Sequence, residues 1–167
     1  MGEGIKGAAY VESRLEGKFG LEINRDKTRV VDLRQQGASL DFLGYTFRFD
    51  RDLYGAKRRY LNVFPSKKAV LKEQEVLRGM TGPEQCYKPL PKLVSEVNRH
   101  LKGWANYFSY GYPAKAHGQI NWYVRYRLFR HLRRRSQRPF RMPKDKSSYR
   151  FFQDIGLVQL SAPTVHA

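Results

Sequence analysis

The stretch Leu90-Pro91-Lys92-Leu93-Val94-Ser95-Glu96-Val97-Asn98-Arg99-His100-Leu101-Lys102-Gly103-Trp104-Ala105-Asn106-Tyr107-Phe108 decides how the rest of the chain is read. At about 100° per residue, Leu90, Leu93, Val94, Val97, Leu101, Trp104, Ala105 and Phe108 fall within one stripe. Lys92, Arg99, Lys102 and Asn106 project from the opposite side. Proline is tolerated in a first helical turn, so Pro89 or Pro91 opens this helix, and Gly111-Tyr112-Pro113 ends it. A further helix runs from about Ala114 or Gly118 to Arg135, with Ile120, Val124, Leu128 and Leu132 as its core stripe. Arg127, Arg130 and Arg134 form a basic ridge beside that stripe, with Tyr123 among them, and Trp122, Tyr126, Phe129 and Arg133 lie on the far side. A helix with rings or apolar groups most of the way round is either sandwiched or meant to touch something. On the amino-terminal side, Ser66 is a natural N-cap for a helix running to about Arg78, closed by Gly79 and Thr81-Gly82-Pro83.

Before Pro65 the pattern changes. Residues 8–20 read as a short helix with Ala8, Val11, Leu15 and Phe19 at helical spacing, stopped by Gly20. Residues 21–33 read as two extended pieces about an Asn24-Arg25-Asp26 turn. Residues 39–49 are the best strand candidate, because Leu43, Tyr45, Phe47 and Phe49 alternate onto one face. After a polar loop with Gly55, Arg59-Tyr60-Leu61-Asn62-Val63-Phe64 returns antiparallel. The expected class is α+β, a small antiparallel sheet followed by a three-helix bundle. Beyond Pro139 and Pro143, Phe151, Phe152, Ile155, Leu157 and Leu160 dock back weakly or leave a disordered basic tail.

Charge points to the partner. The 167 residues carry 32 Lys+Arg against 15 Asp+Glu, a formal net charge of +17. Such a chain repels itself at neutral pH unless a polyanion neutralises it. The 48 positions between Glu96 and Asp145 contain no acidic residue, but twelve cations and ten aromatics. Arg outnumbers Lys there nine to three, and the planar guanidinium fork suits phosphates and base edges. Rings interleaved with Arg suit a surface that neutralises phosphates and presents flat faces to bases. The alternative, a solvated basic helix face, normally mixes signs. One cysteine, Cys86, excludes an intramolecular disulfide and a CxxC zinc site; with no evident base partner it reads as a bystander thiol. No stretch approaches the roughly 18 uninterrupted apolar residues of a membrane span, and Met1-Gly2-Glu3-Gly4-Ile5-Lys6-Gly7 has no apolar signal core. The expectation is a cytoplasmic chain that faces nucleic acid, not membrane.

Leu93 to Phe108, with its Gly103-Trp104-Ala105-Asn106-Tyr107-Phe108 ending, resembles the signature of the group II intron maturase-specific domain, also called domain X, and Ile120 to Arg135 resembles that domain's next helix. Gly20-Leu21-Glu22-Ile23-Asn24-Arg25-Asp26-Lys27-Thr28 is similar to the sixth sequence block of group II intron reverse transcriptases. Leu40-Asp41-Phe42-Leu43-Gly44-Tyr45-Thr46-Phe47 is similar to the seventh. The resemblance spans about residues 10–142. It implies the end of a polymerase palm over 1–65, maturase or thumb helices over 66–137, and a tail over 138–167. It also implies that Phe42, Leu43, Gly44 and Tyr45 form a primer-grip-like hairpin and that the helices bind group II intron RNA or an RNA/DNA duplex. An exposed palm edge would favour association.

Two departures bear on chemistry. The resemblance places a Tyr-x-Asp-Asp motif upstream of residue 10, yet the chain has no Asp-Asp pair, and two-metal transfer needs carboxylates that hold both ions about 4 Å apart. Asp50 and Asp52 fit a surface hairpin loop better. A zinc-spaced endonuclease would need Cys and His after residue 145, where only His166 stands. The chain is therefore expected to bind without catalysing on its own, Mg2+ being expected only with a catalytic palm, and Lys27 reads as a turn lysine. His100, His117 and His131 lack carboxylate or cysteine partners at ligand spacing. Trp104 reads as core, and Gly103 as permitting close helix approach. The expected RNA contacts are Arg125, Arg127, Arg130, Arg133, Arg134 and Arg135, with Lys102, Asn106, Arg138 and Arg141 as outer contacts. The alternatives are a piece of an active RNA-directed DNA polymerase and a generic basic RNA-binding module.

Overall fold

The computed structural model describes residues 3–24, 26, 30–52, 59–138 and 140–161. Their elements are α1 (Glu3–Phe19), β1 (Ser39–Phe42), β2 (Tyr45–Arg51), β3 (Arg59–Pro65), α2 (Lys67–Met80), a 3-10 turn (Pro83–Gln85), α3 (Leu90–Tyr107), α4 (Ala114–Arg134) and α5 (Ser148–Asp154). The strands form one antiparallel sheet in the order β1-β2-β3. The chain divides into two compact units, residues 1–40 with 47–61 and residues 41–46 with 62–167.

In the first unit, α1 ends where Gly20 takes a left-handed φ of +62°, a conformation that costs glycine no Cβ clash. The described residues among 21–33, where two extended pieces are expected, contain no strand. The Asp32 carboxylate instead accepts the Arg34 backbone N–H at 2.9 Å, and Arg59 donates to the Arg34 carbonyl at 2.8 Å. Lys27, Gly55 and His166 lie outside the described residues.

In the second unit, the single strand expected over 39–49 is interrupted. Leu43 and Gly44 both have positive φ, 49° and 82°, as a two-residue primed hairpin turn requires. Leu43 therefore stands exposed at the turn and not on the inward face with Tyr45. Gly111 has φ +78°, and a Cβ there would lie 2.2 Å from the Val63 carbonyl oxygen; the next residue, Tyr112, donates to that same oxygen at 2.7 Å. Only glycine permits this approach of backbone to backbone.

The Ser66 hydroxyl accepts the Ala69 N–H at 3.1 Å, capping α2 as its sequence predicts. Val70 and Leu77 of α2, the α3 stripe of Leu93, Val94, Val97 and Leu101, and the α4 stripe of Ile120, Val124, Leu128 and Leu132 form the core. The tail completes it. Phe152 is 0% exposed, and Leu157 and Leu160 are buried in the same cluster, which corrects the weak docking expected of this segment. Two buried or half-buried asparagines hold it: Asn98 bridges the Gly156 carbonyl (2.7 Å) and the Val158 N–H (3.0 Å), and Asn121 bridges both backbone groups of Leu160 at 2.8 and 2.9 Å. Each side-chain amide supplies the donor and acceptor a strand partner would have supplied. Gly156, at φ +88°, closes α5 in a Schellman motif, with Leu157 N–H bonded to Phe152 O and Gly156 N–H to Gln153 O. Gly103 faces open space, so it serves no close helix approach.

Candidate nucleic-acid interface

The α4 guanidinium groups divide into two sets by what lies next to them. Arg127 is only 7% exposed, which removes it from the outward ridge expected of it. Its Nε donates to Thr81 Oγ1 (3.2 Å) and its Nη2 to the Arg78 carbonyl (3.1 Å), while Arg134 Nη2 donates to the Thr81 carbonyl at 3.0 Å. These oxygens lie at the carboxyl end of α2, where the helix dipole favours cations. Burial, with the like charges of Arg134, Arg130 and Arg78 nearby, holds the Arg127 guanidinium below its usual arginine value. Arg78, Arg127, Arg130 and Arg134 line a cavity of about 540 Å³ shared with Glu75 and Glu84.

The second set faces solvent. Trp122 is 61% exposed and Tyr126 41% exposed, their rings parallel within 3° and 5.5 Å apart between centroids. Arg130 continues the row: Nη1 donates to the Tyr126 hydroxyl at 3.1 Å and the guanidinium lies 5.8 Å from that ring. Arg133 stands 6.0 Å over Phe129, and half-buried Arg125 stands 5.6 Å over Tyr149 with a long contact to Gln159. Arg135, Arg138 and Arg141 are exposed on and beyond the end of α4. Among the described residues, no carboxylate forms an ion pair with any of these arginines; Asp50, Glu96, Glu73 and Asp154 pair instead with Arg48, Lys88, His100 and Lys146. Lys102 and Asn106 are exposed on α3, with no contact joining them to the α4 set among the described residues.

The Phe42–Tyr45 turn is fixed from below. Tyr107 Oη donates to the Leu43 carbonyl at 2.9 Å, the Tyr45 hydroxyl donates to the Tyr107 carbonyl, and the Gly44 carbonyl accepts the Ser66 N–H at 2.7 Å. A Cβ on Gly44 would press the Phe108 ring at 3.2 Å. Phe42 and Leu43, both exposed, border a cavity of about 610 Å³ whose other walls include Trp104 and Tyr107. Trp104 also packs on Phe108 and against the core, as its place on the α3 stripe predicts.

Lining the same cavity is a pair that spacing does not reveal. Glu73, 3% exposed, meets His100 Nε2 at 2.9 Å through Oε2, while its Oε1 has no hydrogen-bond partner among the described residues. Burial pushes the Glu73 carboxyl above its usual range, and the hydrogen bond from His100 partly counters it. The two residues stand 27 positions apart, so no local rule joins them. Among the described residues no group of three or more His, Cys, Asp or Glu could hold a metal ion, and no helix is long and apolar enough to cross a membrane.

His117 and His131 are buried in α4, and burial holds both below the ordinary imidazole value of about 6.5. Below that pH the unfolded chain binds protons that the folded chain refuses, so stability falls as pH falls. The loss reaches up to about 1.4 kcal/mol per histidine per pH unit until each folded value is passed. Urea unfolding at pH 7.5 and 5.5 checks this, and an unchanged midpoint in Glu73→Gln, which lacks the opposing carboxyl, would contradict it. Glu73, shifted upward, titrates in the opposite sense, so the same pair of measurements on Glu73→Gln isolates the histidines.

A sheet-associated helical domain with an unneutralised cationic outer face is the class these features define. Residues 71–149, from α2 into α5, match the family model of the group II intron, maturase-specific domain. No curated protein matches the chain.

Proposed function

We propose that the chain binds group II intron RNA and assists its folding or splicing without chemistry of its own. The observation that carries this reading is the α4 outer face: exposed guanidinium groups, none in an ion pair among the described residues, inside the stretch that matches the maturase-specific domain. Uncompensated cations on a folded surface favour a polyanion, and released counterions drive the association. Arg130, Arg133, Arg135, Arg138 and Arg141 are the phosphate contacts, with Arg125 and Arg134 half-engaged and Lys102 and Asn106 adding contacts from α3. Arg127 serves the fold. No Asp-Asp pair occurs in the chain, so phosphoryl transfer is assigned to no residue here.

A second reading is favoured by the Phe42–Tyr45 turn, seated on Tyr107 and Phe108. In a complete reverse transcriptase that turn and the thumb helices would hold a template–primer duplex, with residues 1–65 as the end of the palm and 66–137 as the thumb. A competition assay separates a maturase from a generic basic module. The chain should retain a labelled group II intron transcript against an excess of other structured RNA of equal length. Equal competition by both RNAs would overturn the intron assignment and favour the generic module.

A further inference from the structure

We infer that the outer face of α4 takes unpaired nucleotides of the RNA, stacking a base on Trp122, which Tyr126 backs, while Arg130 and Arg133 hold the flanking phosphates. This deepens the RNA-binding reading and rests on it. Ile120, Val124 and Leu128 supply the helix's core stripe, so Trp122, on the opposite side, is not needed to close the core. The two rings stack on each other, parallel within 3°, and Arg130 lies over Tyr126, so the 61% exposed Trp122 ring is the open end of the row. The bond from Arg130 to the Tyr126 hydroxyl fixes the ring and puts a cation at the end of the row. Arg133 lies on the same outward arc, between Trp122 and Tyr126 in angle around the helix and seated on Phe129. The Glu96–Asp145 gap leaves no acidic side chain on this helix to repel a phosphate chain.

The geometry selects against duplex. Every unpaired base has a π-face to stack, whereas a base inside an A-form helix has both faces covered by its neighbours. Phosphate neutralisation alone would favour the duplex, whose charge density is the higher. The face therefore discriminates by pairing state and tolerates sequence.

The test is fluorescence anisotropy of the full chain with a 12-nucleotide oligouridylate and with a 12-base-pair RNA duplex. Trp122→Ala should weaken the oligouridylate about tenfold, the scale of one lost base stack, and the duplex less than twofold. Trp122→Phe should keep most of the affinity, and neither change should alter the salt slope or the melting temperature. Intrinsic fluorescence should be quenched by the oligouridylate through Trp122, and that quenching should vanish in Trp122→Phe. If both RNAs bind and Trp122→Ala weakens neither, or weakens both equally, the stacking inference is overturned while RNA binding stands. If neither RNA binds, the RNA-binding reading falls and the inference falls with it.

Discussion

Exchanging Arg130 and Arg133 together for glutamate lowers the affinity for a group II intron transcript by about 100-fold near 0.1 M salt, equivalent to about 2.7 kcal/mol. Both side chains are exposed and lie against Tyr126 and Phe129, and neither forms an ion pair among the described residues. The exchange takes the formal net charge from +17 to +13, four units, and places two carboxylates on the face proposed to meet phosphate. Each lost phosphate contact should also flatten the salt dependence by about one unit of log–log slope. Arg134 is left in place because its bond to the Thr81 carbonyl would confuse binding with folding. Anisotropy titration of the double variant, with its melting curve, reads both quantities. Affinity within twofold of the parent chain would remove α4 from the interface.

Arg127→Ala should cost about 2–3 kcal/mol of stability and lower the melting temperature by about 5–10 °C, while the remaining folded molecules bind RNA almost as before. The guanidinium donates to Thr81 Oγ1 and to the Arg78 carbonyl where α2 ends, and its removal leaves those acceptors facing a void. Burying an arginine with no carboxylate partner is itself costly, which limits the net loss. Arg127→Met separates the contributions: it fills the volume without donating, so a loss close to that of alanine assigns the effect to the hydrogen bonds. A loss below about 0.5 kcal/mol in both variants would show that the cap of α2 does not depend on this residue.

The helices that build the domain were legible because each presents a long stripe: Leu93 to Phe108 and Ile120 to Leu132 repeat often enough to fix both period and buried side, and Ser66 marks a start. The Leu43–Gly44 turn was not, since a two-residue reversal inside an apolar alternation preserves the pattern on either side; only Gly44 hinted at the break. The inward turn of Arg127 was not legible for a different reason. The residue borders the α4 core stripe, where a charged residue is ordinarily turned outward, and the oxygens that receive it, the Thr81 hydroxyl and the Arg78 carbonyl, come from residues 46 and 49 positions earlier. The docking of Phe152, Leu157 and Leu160 was underestimated because α5 has only 7 residues, too few to show a stripe, and its clamps come from Asn98 and Asn121 far away in sequence. Glu73 and His100 belong to the same class of long-range pairing. For the candidate interface, composition indicated the region, and only the fold separates Arg127, turned inward, from Arg130 and Arg133, turned outward.

The most direct measurement is the affinity of the unmodified chain for a group II intron transcript across a series of salt concentrations. Engagement of about six phosphates by the exposed arginines predicts a log–log slope near −4 to −5. A slope flatter than about −1 would mean that phosphate neutralisation does not drive binding, and the cationic face of α4 would not be the RNA-binding surface.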